Sequence, residues 1–208
     1  MHMHTLFVRF QSTISRHLIT QEKFKDSMGK IASQAMILSS ASKNTVPHSQ
    51  LRGLTVSSVT SLSLKPQPLI QFNLQLPSFT SEALHETNCF AIHLLIPNKV
   101  SIELAKNFSK GAIKNEADST FSPTKPFENL VEHVHYDTYR IAGSDLVIPI
   151  LKNSERVLLC EKKEVFRVGD HEIWVGKVED ILVNEEKTTG GLLYCNRNFH
   201  LLGNKITN

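Results

Sequence analysis

Apolar residues recur at every second position, or in short continuous runs, over most of the chain. This spacing predicts short β-strands, and fewer segments show the three- or four-residue spacing of helices. The predicted strands lie at residues 34–40, 69–74, 89–96, 139–141, 147–151, 157–161, 171–183 and within 192–202. The predicted helices lie at residues 20–30, near 82–84 with Thr80 or Ser81 as N-cap, and at 99–108 with Asn98 as N-cap. Strands at intervals of about ten residues, with short helices, predict a mainly β fold, an antiparallel barrel.

The stretch from residue 53 to residue 69 (GLTVSSVTSLSLKPQPL) combines a strand pattern with an unusual number of hydroxyls. Six of its seventeen residues are Ser or Thr, and six are Leu or Val. A buried strand would not need so many hydroxyls, and a loop would not need so many bulky apolar side chains. The stretch therefore predicts a strand that leaves its sheet and presents backbone N–H groups and hydroxyls to a polar ligand.

The composition of residues 1–20 predicts a targeting segment that precedes the folded domain. Apolar residues from Phe7 to Leu18 share one face of a helical wheel, Arg9 and Arg16 share the other, and no acidic residue precedes Glu22. An amphipathic, hydroxyl-rich and acid-free segment is typical of a mitochondrial transit peptide. We therefore expect residues 1–20 to direct the chain to the mitochondrial matrix and residues 21–208 to form one domain, with a disordered tail as the alternative for residues 1–20.

Composition argues against several functional classes. A net charge of +3 without a Lys/Arg cluster, and a single Trp, disfavour nucleic-acid binding. No apolar run approaches the roughly 18 residues of a membrane span. Cys89, Cys160 and Cys195 are too widely spaced for a disulfide framework or a zinc site, and each is expected to be a small buried hydrophobe. His133 and His135 share one predicted strand face without a third ligand, so no metal site is expected.

The chain has no phosphate-binding P-loop, no Rossmann fingerprint, no HExxH and no GxSxG. Its polar candidates are dispersed: Thr55, Ser57, Ser58, Ser61 and Ser63 in the central stretch, then Asn73, Ser78 and Thr80, and the turn at residues 169–171. Hydroxyls and exposed backbone donors suit a phosphate, a ribityl chain or a planar heterocycle with amide edges. The residues alone therefore predict a polar ligand in a barrel mouth and leave its identity open.

GLTVSSVTSLSLKPQPL resembles the signature of the flavin reductase-like family, the FMN-binding split-barrel flavoproteins. Further matches follow in the family's order: residues 72–74 with Ser78-Phe79-Thr80, residues 90–95 and 105–108, Gly169-Asp170-His171 with residues 174–178, and residues 192–194 with 201–203. The resemblance covers residues 24–203. It implies an antiparallel split β-barrel of Greek-key type and, with the predicted leader, a fungal-type mitochondrial member.

The resemblance also implies a flavin site. The cofactor-binding residues that it assigns are Thr55, Val56, Ser57, Ser58, Ser61, Leu64, Lys65, Asn73, Ser78 and Thr80. The first four would lie along the flavin ring, the next three near the ring or the ribityl chain, Asn73 at the ribityl chain and the last two at the phosphate. His171 would contact the nicotinamide near the flavin face. Phe79 stands where the family often has a basic residue, so phosphate binding would depend on hydroxyls and on Lys65.

The function that the resemblance implies is that of an NAD(P)H:flavin oxidoreductase. FMN, or FAD, would be the flavin, and NADH or NADPH the reductant; hydride transfer is the chemistry of these cofactors, and the protein supplies position and electrostatics. The family also implies a homodimer and a partner oxygenase that receives reduced flavin. Two alternatives stay open: an FMN-binding electron carrier without its own reductase activity, and a split barrel for haem or pyridoxal phosphate, which the segment Thr55–Ser58 disfavours.

Overall fold

The computed structural model describes residues 18–184 and 189–206. Its helices are α1 (residues 18–29), α2 (Phe79–Thr87) and α3 (Lys99–Phe108), with a 3₁₀ turn at His48–Gln50. Its strands are β1 (Ser33–Gln34), β2 (Met36–Ser40), β3 (Ser42–Lys43), β4 (Gly53–Val56), β5 (Thr60–Ser63), β6 (Leu69–Gln75), β7 (Cys89–Leu95), β8 (Ile113–Lys114), β9 (Phe121–Ser122), β10 (Tyr136–Arg140), β11 (Leu146–Leu151), β12 (Ser154–Val168), β13 (His171–Val183), β14 (Leu193–Cys195) and β15 (Asn198–His200). Most of the predicted targeting segment lies outside the described residues, and residues 18–20 belong to α1.

A curled seven-stranded sheet dominates the fold. Its strand order is β4-β2-β7-β12-β13-β6-β5, and every pairing within it is antiparallel. β12 and β13 form its long central hairpin, which turns at Gly169 with a φ of +60° that glycine adopts without strain. The prediction of a mainly β, antiparallel fold with short helices is confirmed.

The central stretch crosses from one edge of this sheet to the other. β4 and β5 lie at opposite ends of the strand order, although only residues 57–59 separate them along the chain. The sheet therefore has to curl until its two edges approach each other. Ser58 lies at that approach, because its Oγ accepts a hydrogen bond of 2.9 Å from the backbone N–H of Asn73 on β6. We call this gap between β4 and β6, spanned by residues 57–59, the seam.

One face of the sheet covers an aromatic core. Phe72, Phe90 and Trp174 are fully buried. The Phe72 ring meets Phe90 edge-on at 5.4 Å and stacks on Trp174 at 6.2 Å. Gly176 leaves the space for Phe90, because a Cβ at this position would lie 2.6 Å from the ring. Leu84 packs into the same core and so attaches α2 to this face.

The opposite face of the sheet carries α3. The helix begins after Asn98, whose side chain accepts a hydrogen bond of 2.9 Å from the N–H of Ser101, as the sequence predicted. Leu104 and Phe108 are buried in a second apolar cluster that includes Ile37 of β2. The two helices that follow β6 and β7 therefore lie on opposite sides of the sheet, and the C-terminal end of α3 reaches the seam.

Two local predictions are wrong. α2 does not begin after Thr80 or Ser81; Ser78 is its N-cap, because its Oγ accepts a hydrogen bond of 3.1 Å from the N–H of Ser81. An N-cap side chain bonds to an N–H two or three residues ahead, so the helix begins about one turn before the position that the apolar pattern indicated. His133 and His135 do not share a strand face either, since they lie in a turn that precedes β10.

Two of the three cysteines are less buried than expected. Cys160 is buried as predicted, but Cys89 and Cys195 are only half-buried because they lie at the ends of β7 and β14; all three are free thiols. The apolar stripe of α1 is exposed, with Phe24 at 66% and Met28 at 48% of full exposure. Over the described ranges, no helix has the length and apolar character needed to cross a membrane.

Candidate functional site

A cleft of about 720 Å³ opens at the seam. Its walls are residues 52–58 around β4, residues 73–80 between β6 and α2, residues 108–112 after α3, and Phe121, Thr124, Pro126 and His171. A volume of this size is within the ordinary range of roughly 300–1,000 Å³ for small-molecule and cofactor sites. The cleft lies between the free edge of β4 and the N-terminus of α2, so its shape depends on how far the sheet curls.

β4 contributes backbone groups to the cleft. It is an edge strand that pairs with β2, and the N–H of Ser40 donates to the carbonyl of Arg52 at 3.1 Å. Hydrogen-bonded positions alternate along an antiparallel ladder, so the N–H and C=O groups of Gly53 and Thr55 point away from β2 and towards the cleft side. Gly53 is required for this close packing, because a Cβ there would lie 2.6 Å from a carbonyl oxygen of β2.

The three hydroxyl residues next to this edge have different roles. The Oγ1 of Thr55 donates to the carbonyl of Ala105 at 2.7 Å and so ties β4 to α3. The Oγ of Ser58 accepts from the N–H of Asn73 and so closes the seam. Ser57 is exposed within the cleft. Its hydroxyl is therefore the one of the three most accessible to a ligand.

The N-terminus of α2 forms the wall opposite β4. Ser78 and Phe79 line the cleft, and Thr80 lies beside them and is buried. The first N–H groups of a helix have no acceptor within the helix, and the helix dipole makes this end positive. Together with the hydroxyls, the first turn of α2 is therefore suited to an anion such as a phosphate.

Glu172 holds α2 against β13. Its carboxylate accepts hydrogen bonds from the hydroxyl of Ser81, from the Trp174 Nε1–H at 3.0 Å and from the His85 Nε2–H at 3.2 Å. Burial favours the neutral form, but the three hydrogen bonds outweigh burial and lower the pKa of Glu172 below its ordinary value. This network fixes the first turn of α2 relative to the strand that begins at His171.

His171 lies at the start of β13 and lines the cleft. Its Nδ1–H donates to the Asp170 carboxylate at 2.8 Å, and the Gln75 amide donates to the other oxygen of the same carboxylate at 3.1 Å. These two hydrogen bonds, that of His171 first, lower the pKa of Asp170. Asp170 therefore stays ionised and fixes the tautomer and the ring orientation of His171, which leaves Nε2 to meet a ligand.

The side chains that line the cleft give it a positive charge. Arg52 and Lys110 are among them, and no Asp or Glu of residues 18–184 or 189–206 belongs to the lining. Burial lowers the pKa of Arg52, and the charge of Glu82 in the first turn of α2 opposes that shift. The sequence analysis did not predict either cation, because Arg52 and Lys110 lie outside the regular elements and neither belongs to a cluster of basic residues.

The structure brings most of the predicted site residues together. The predicted residues that line the cleft are Thr55, Val56, Ser57, Ser58, Asn73, Ser78, Thr80 and His171. Ser61, Leu64 and Lys65 lie outside its lining, on β5 and in the turn that follows. They are separated from it because the chain has by then passed to the outer edge strand, where Leu64 is 76% exposed.

The described residues contain no group of three or more His, Cys, Asp or Glu side chains that could hold a metal ion. The polar groups that line the cleft are backbone N–H and C=O groups, hydroxyls, the amides of Asn73 and Gln75, two cations and one imidazole.

Comparison with known proteins gives three informative matches. The model of the family described as "Flavin reductase like domain" matches residues 28–203. An NADH:riboflavin 5'-phosphate oxidoreductase from Streptomyces pristinaespiralis is 24% identical over 186 residues, which are 89% of this chain and 90% of that protein. The crystal structure of flavin reductase HpaC complexed with NADP+ is 26% identical, with a TM-score of 0.63 over 88% of this chain and 97% of that one.

A further solved structure has the same fold at lower identity. The homologue of nitrilotriacetate monooxygenase component B from Mycobacterium thermoresistibile is 20% identical, with a TM-score of 0.68 over 92% of this chain and 93% of that one. The predicted split-barrel fold is confirmed by these matches, which extend over most of the chain.

Proposed function

The chain belongs to the flavin reductase-like domain family, and on that premise we propose that it is an FMN-binding oxidoreductase that reduces flavin with NADH or NADPH. The observation that carries the proposal is the cleft at the seam, which gathers eight of the predicted site residues between the edge of β4 and the N-terminus of α2. The S. pristinaespiralis relative is named for this reaction, and HpaC is named as a flavin reductase with bound NADP+.

The cleft suits a flavin nucleotide in both charge and donor pattern. One end offers the first turn of α2, with Ser78 and Thr80, to a phosphate. The other end offers the backbone groups of Gly53 and Thr55 and the hydroxyl of Ser57 to the amide edge of a planar ring. Asn73 also lines the cleft, and we propose that it contacts the ribityl chain. No acidic side chain of the part of the chain that the structure describes lines the cleft, which favours a phosphate there.

A bound flavin supplies the redox chemistry, since its ring system accepts a hydride and passes the electrons on. The chain contributes orientation and electrostatics. The N–H groups at the free edge of β4 would stabilise the negative charge that accumulates at the amide edge of a reduced ring. His171, oriented by Asp170, would position a nicotinamide at the open side of the cleft. This assignment requires no side chain to act as a general acid or base.

We also propose that the protein forms a homodimer, has a monooxygenase partner and is located in mitochondria. A homodimer would cover the exposed apolar stripe of α1, and such a stripe is otherwise unfavourable in water. A monooxygenase partner is proposed because the M. thermoresistibile relative is named as a monooxygenase component. A fungal-type mitochondrial location rests on the composition of residues 1–20 alone. Sedimentation of the purified protein tests the homodimer, and a flavin-loaded monomer would contradict it. An import assay with isolated mitochondria tests the location, and absence of import would contradict it.

Addition of NADH under argon to the purified protein with FMN tests the main proposal. We expect the protein to bind FMN and the visible absorbance of the flavin to fall at a rate that depends on protein concentration. Bound FMN that stays oxidised after both NADH and NADPH have been added would contradict the reductase activity. The electron-carrier alternative would then be favoured.

A pair of substitutions tests the location of the site. Ser57→Phe should abolish FMN binding, because its side chain would fill the cleft beside the edge of β4. Ser61→Phe is the matched control: it makes the same change four residues later, on an exposed position of β5 outside the cleft. Circular dichroism and the fluorescence of the buried Trp174 report folding in both variants. Equal loss of FMN binding in the two variants would place the ring elsewhere than the edge of β4.

A further inference from the structure

Arg52 has a buried guanidinium nitrogen without a hydrogen-bond partner. Its Nη1 is shielded from solvent, and no acceptor contacts it among the described residues. A buried donor without an acceptor is costly, and more so when it carries charge. Glu82 is near enough to influence Arg52 electrostatically, yet it leaves Nη1 without a hydrogen bond. Arg52 is nevertheless only partly buried and lines the cleft, so an anion bound there would meet its positive charge.

The geometry of β4 places the Arg52 side chain on the same side as α2. Alternate residues of a strand share a face, so Arg52, Leu54 and Val56 point one way. Leu54 and Val56 pack in the apolar cluster that contains Leu84 of α2. Thr55 points the other way, towards α3, as its hydrogen bond to α3 shows. Arg52 therefore lies beside the N-terminal turn of α2.

The first turn of α2 lacks a basic residue of its own. Ser78, Phe79 and Thr80 supply hydroxyls and N–H groups but no positive charge. Lys65, which the sequence resemblance suggested for this role, lies outside the lining of the cleft. Lys110 lines the cleft from the α3 side, where its Nζ lies 3.5 Å from Asn107 Oδ1. Arg52 is therefore the cation that adjoins the N-terminus of α2.

We propose that Arg52 binds the phosphate group of the flavin nucleotide together with the first turn of α2, and so determines the preference for FMN over riboflavin. This inference rests on the proposed function, since it requires a flavin in the cleft. A guanidinium offers two parallel N–H donors to a phosphate, a geometry that a lysine does not reproduce. The guanidinium would replace the basic residue that Phe79 displaces from the helix, but would reach the phosphate from the neighbouring strand.

Arg52→Gln tests the inference through the binding of two ligands that differ only in the phosphate. Quenching of flavin fluorescence measures the dissociation constants of FMN and riboflavin without turnover. We expect Arg52→Gln to weaken FMN binding by about 10–100-fold, as the loss of a charged hydrogen bond does. Riboflavin binding should change less than about threefold. Arg52→Lys should recover part of the FMN affinity, and Trp174 fluorescence reports whether each variant is folded.

Two control variants separate a specific contact from general charge. Lys110→Gln removes a positive charge from the same cleft, and Lys65→Gln removes one from outside it. Lys65→Gln should weaken FMN binding by less than about threefold, and Lys110→Gln should weaken it less than Arg52→Gln does, because it removes charge without a contact to the phosphate. The inference is overturned if Lys110→Gln weakens FMN binding as much as Arg52→Gln, or if Arg52→Gln weakens FMN and riboflavin equally. A chain that binds FMN through Arg52 but does not oxidise NAD(P)H keeps this inference and loses the proposed activity.

Discussion

Glu172 offers a direct test of how α2 is held in place. Its carboxylate is the common acceptor for Ser81, His85 and Trp174, and so it joins the first turn of α2 to β13. Glu172→Leu removes the acceptor but leaves a side chain of similar length. The donors would then face an apolar group in a site where water has little access.

The expected loss of stability in Glu172→Leu follows from the burial of these donors. Ser81 is 2% exposed and Trp174 is fully buried, whereas the side chain of His85 is 43% exposed and can turn to water. A buried donor that loses its partner costs about 1–3 kcal/mol. With two such donors, Glu172→Leu should lower the free energy of unfolding by about 2–6 kcal/mol. Binding of FMN should also weaken, because the first turn of α2 loses its attachment.

Urea denaturation followed by fluorescence measures this loss cleanly, because Trp174 is the only tryptophan of the chain and belongs to the network. Glu179→Gln is the matched control on the same strand. The Glu179 carboxylate pairs with Lys177 at 2.7 Å on the surface, and such a pair contributes less than about 1 kcal/mol. A loss in Glu172→Leu no larger than that in Glu179→Gln would refute the reasoning.

The pH dependence of Glu172 provides a second measurement. Its pKa in the folded protein lies below the ordinary value of 4.5. The stabilisation by its carboxylate is therefore complete above pH 4.5 and is lost as the pH falls through the lowered pKa. Glu172→Gln should have a shallower decline of stability in this acidic range than the unchanged protein. Parallel declines would show that another group governs it.

Other predictions concern the core. His93 is fully buried, its Nδ1–H donates to the Ile37 carbonyl at 2.9 Å, and burial lowers its pKa to about 4. Because only the unfolded state takes up a proton as the pH falls from 6.5 towards 4, the free energy of unfolding should decrease by about 3 kcal/mol over that range. His93→Leu should remove this pH dependence. A pH dependence of unchanged size in urea titrations of the variant would contradict the assignment. Gly176→Ala should cost about 1–3 kcal/mol, because the new Cβ would meet the Phe90 ring. Gly29→Ala is its control, because no side chain of the described residues lies within 4 Å of the new Cβ there. Equal thermal midpoints for the two variants would contradict the steric argument.

Local patterns in the sequence are sufficient to predict much of the fold. The run from Cys89 to Leu95 is a strand buried on both faces because it lies near the middle of the seven-stranded sheet. Asn98 caps α3 because its side chain can bond to an N–H three residues ahead, an interaction confined to one turn. Features of this kind depend on neighbours within a few residues, so they can be read without knowledge of the rest of the fold.

The sequence could not predict which residues of the hydroxyl-rich stretch line the cleft, because that depends on contacts between residues far apart in the chain. Ser61 and Lys65 belong to the same hydroxyl-rich stretch as Ser57, and no pattern separates the three. The structure separates them because the chain crosses the seam between β4 and β5 and emerges on the opposite edge of the sheet. The alternation of side chains along β4 also decides the role of Arg52, which lies near Glu82 of α2, whereas Thr55, three residues later, points to α3.

The sequence by itself determined the mainly β architecture, the family resemblance and the hydroxyl-rich stretch as one wall of a ligand site. These are consequences of residue type and short-range periodicity, which depend only on the order of residues along the chain. Only the tertiary structure decided that the two halves of this stretch lie on opposite edges, that Glu172 anchors α2, and that Arg52 adjoins the first turn of that helix. Such contacts join residues far apart in the chain, and they exist only once the sheet has curled and its edges have met.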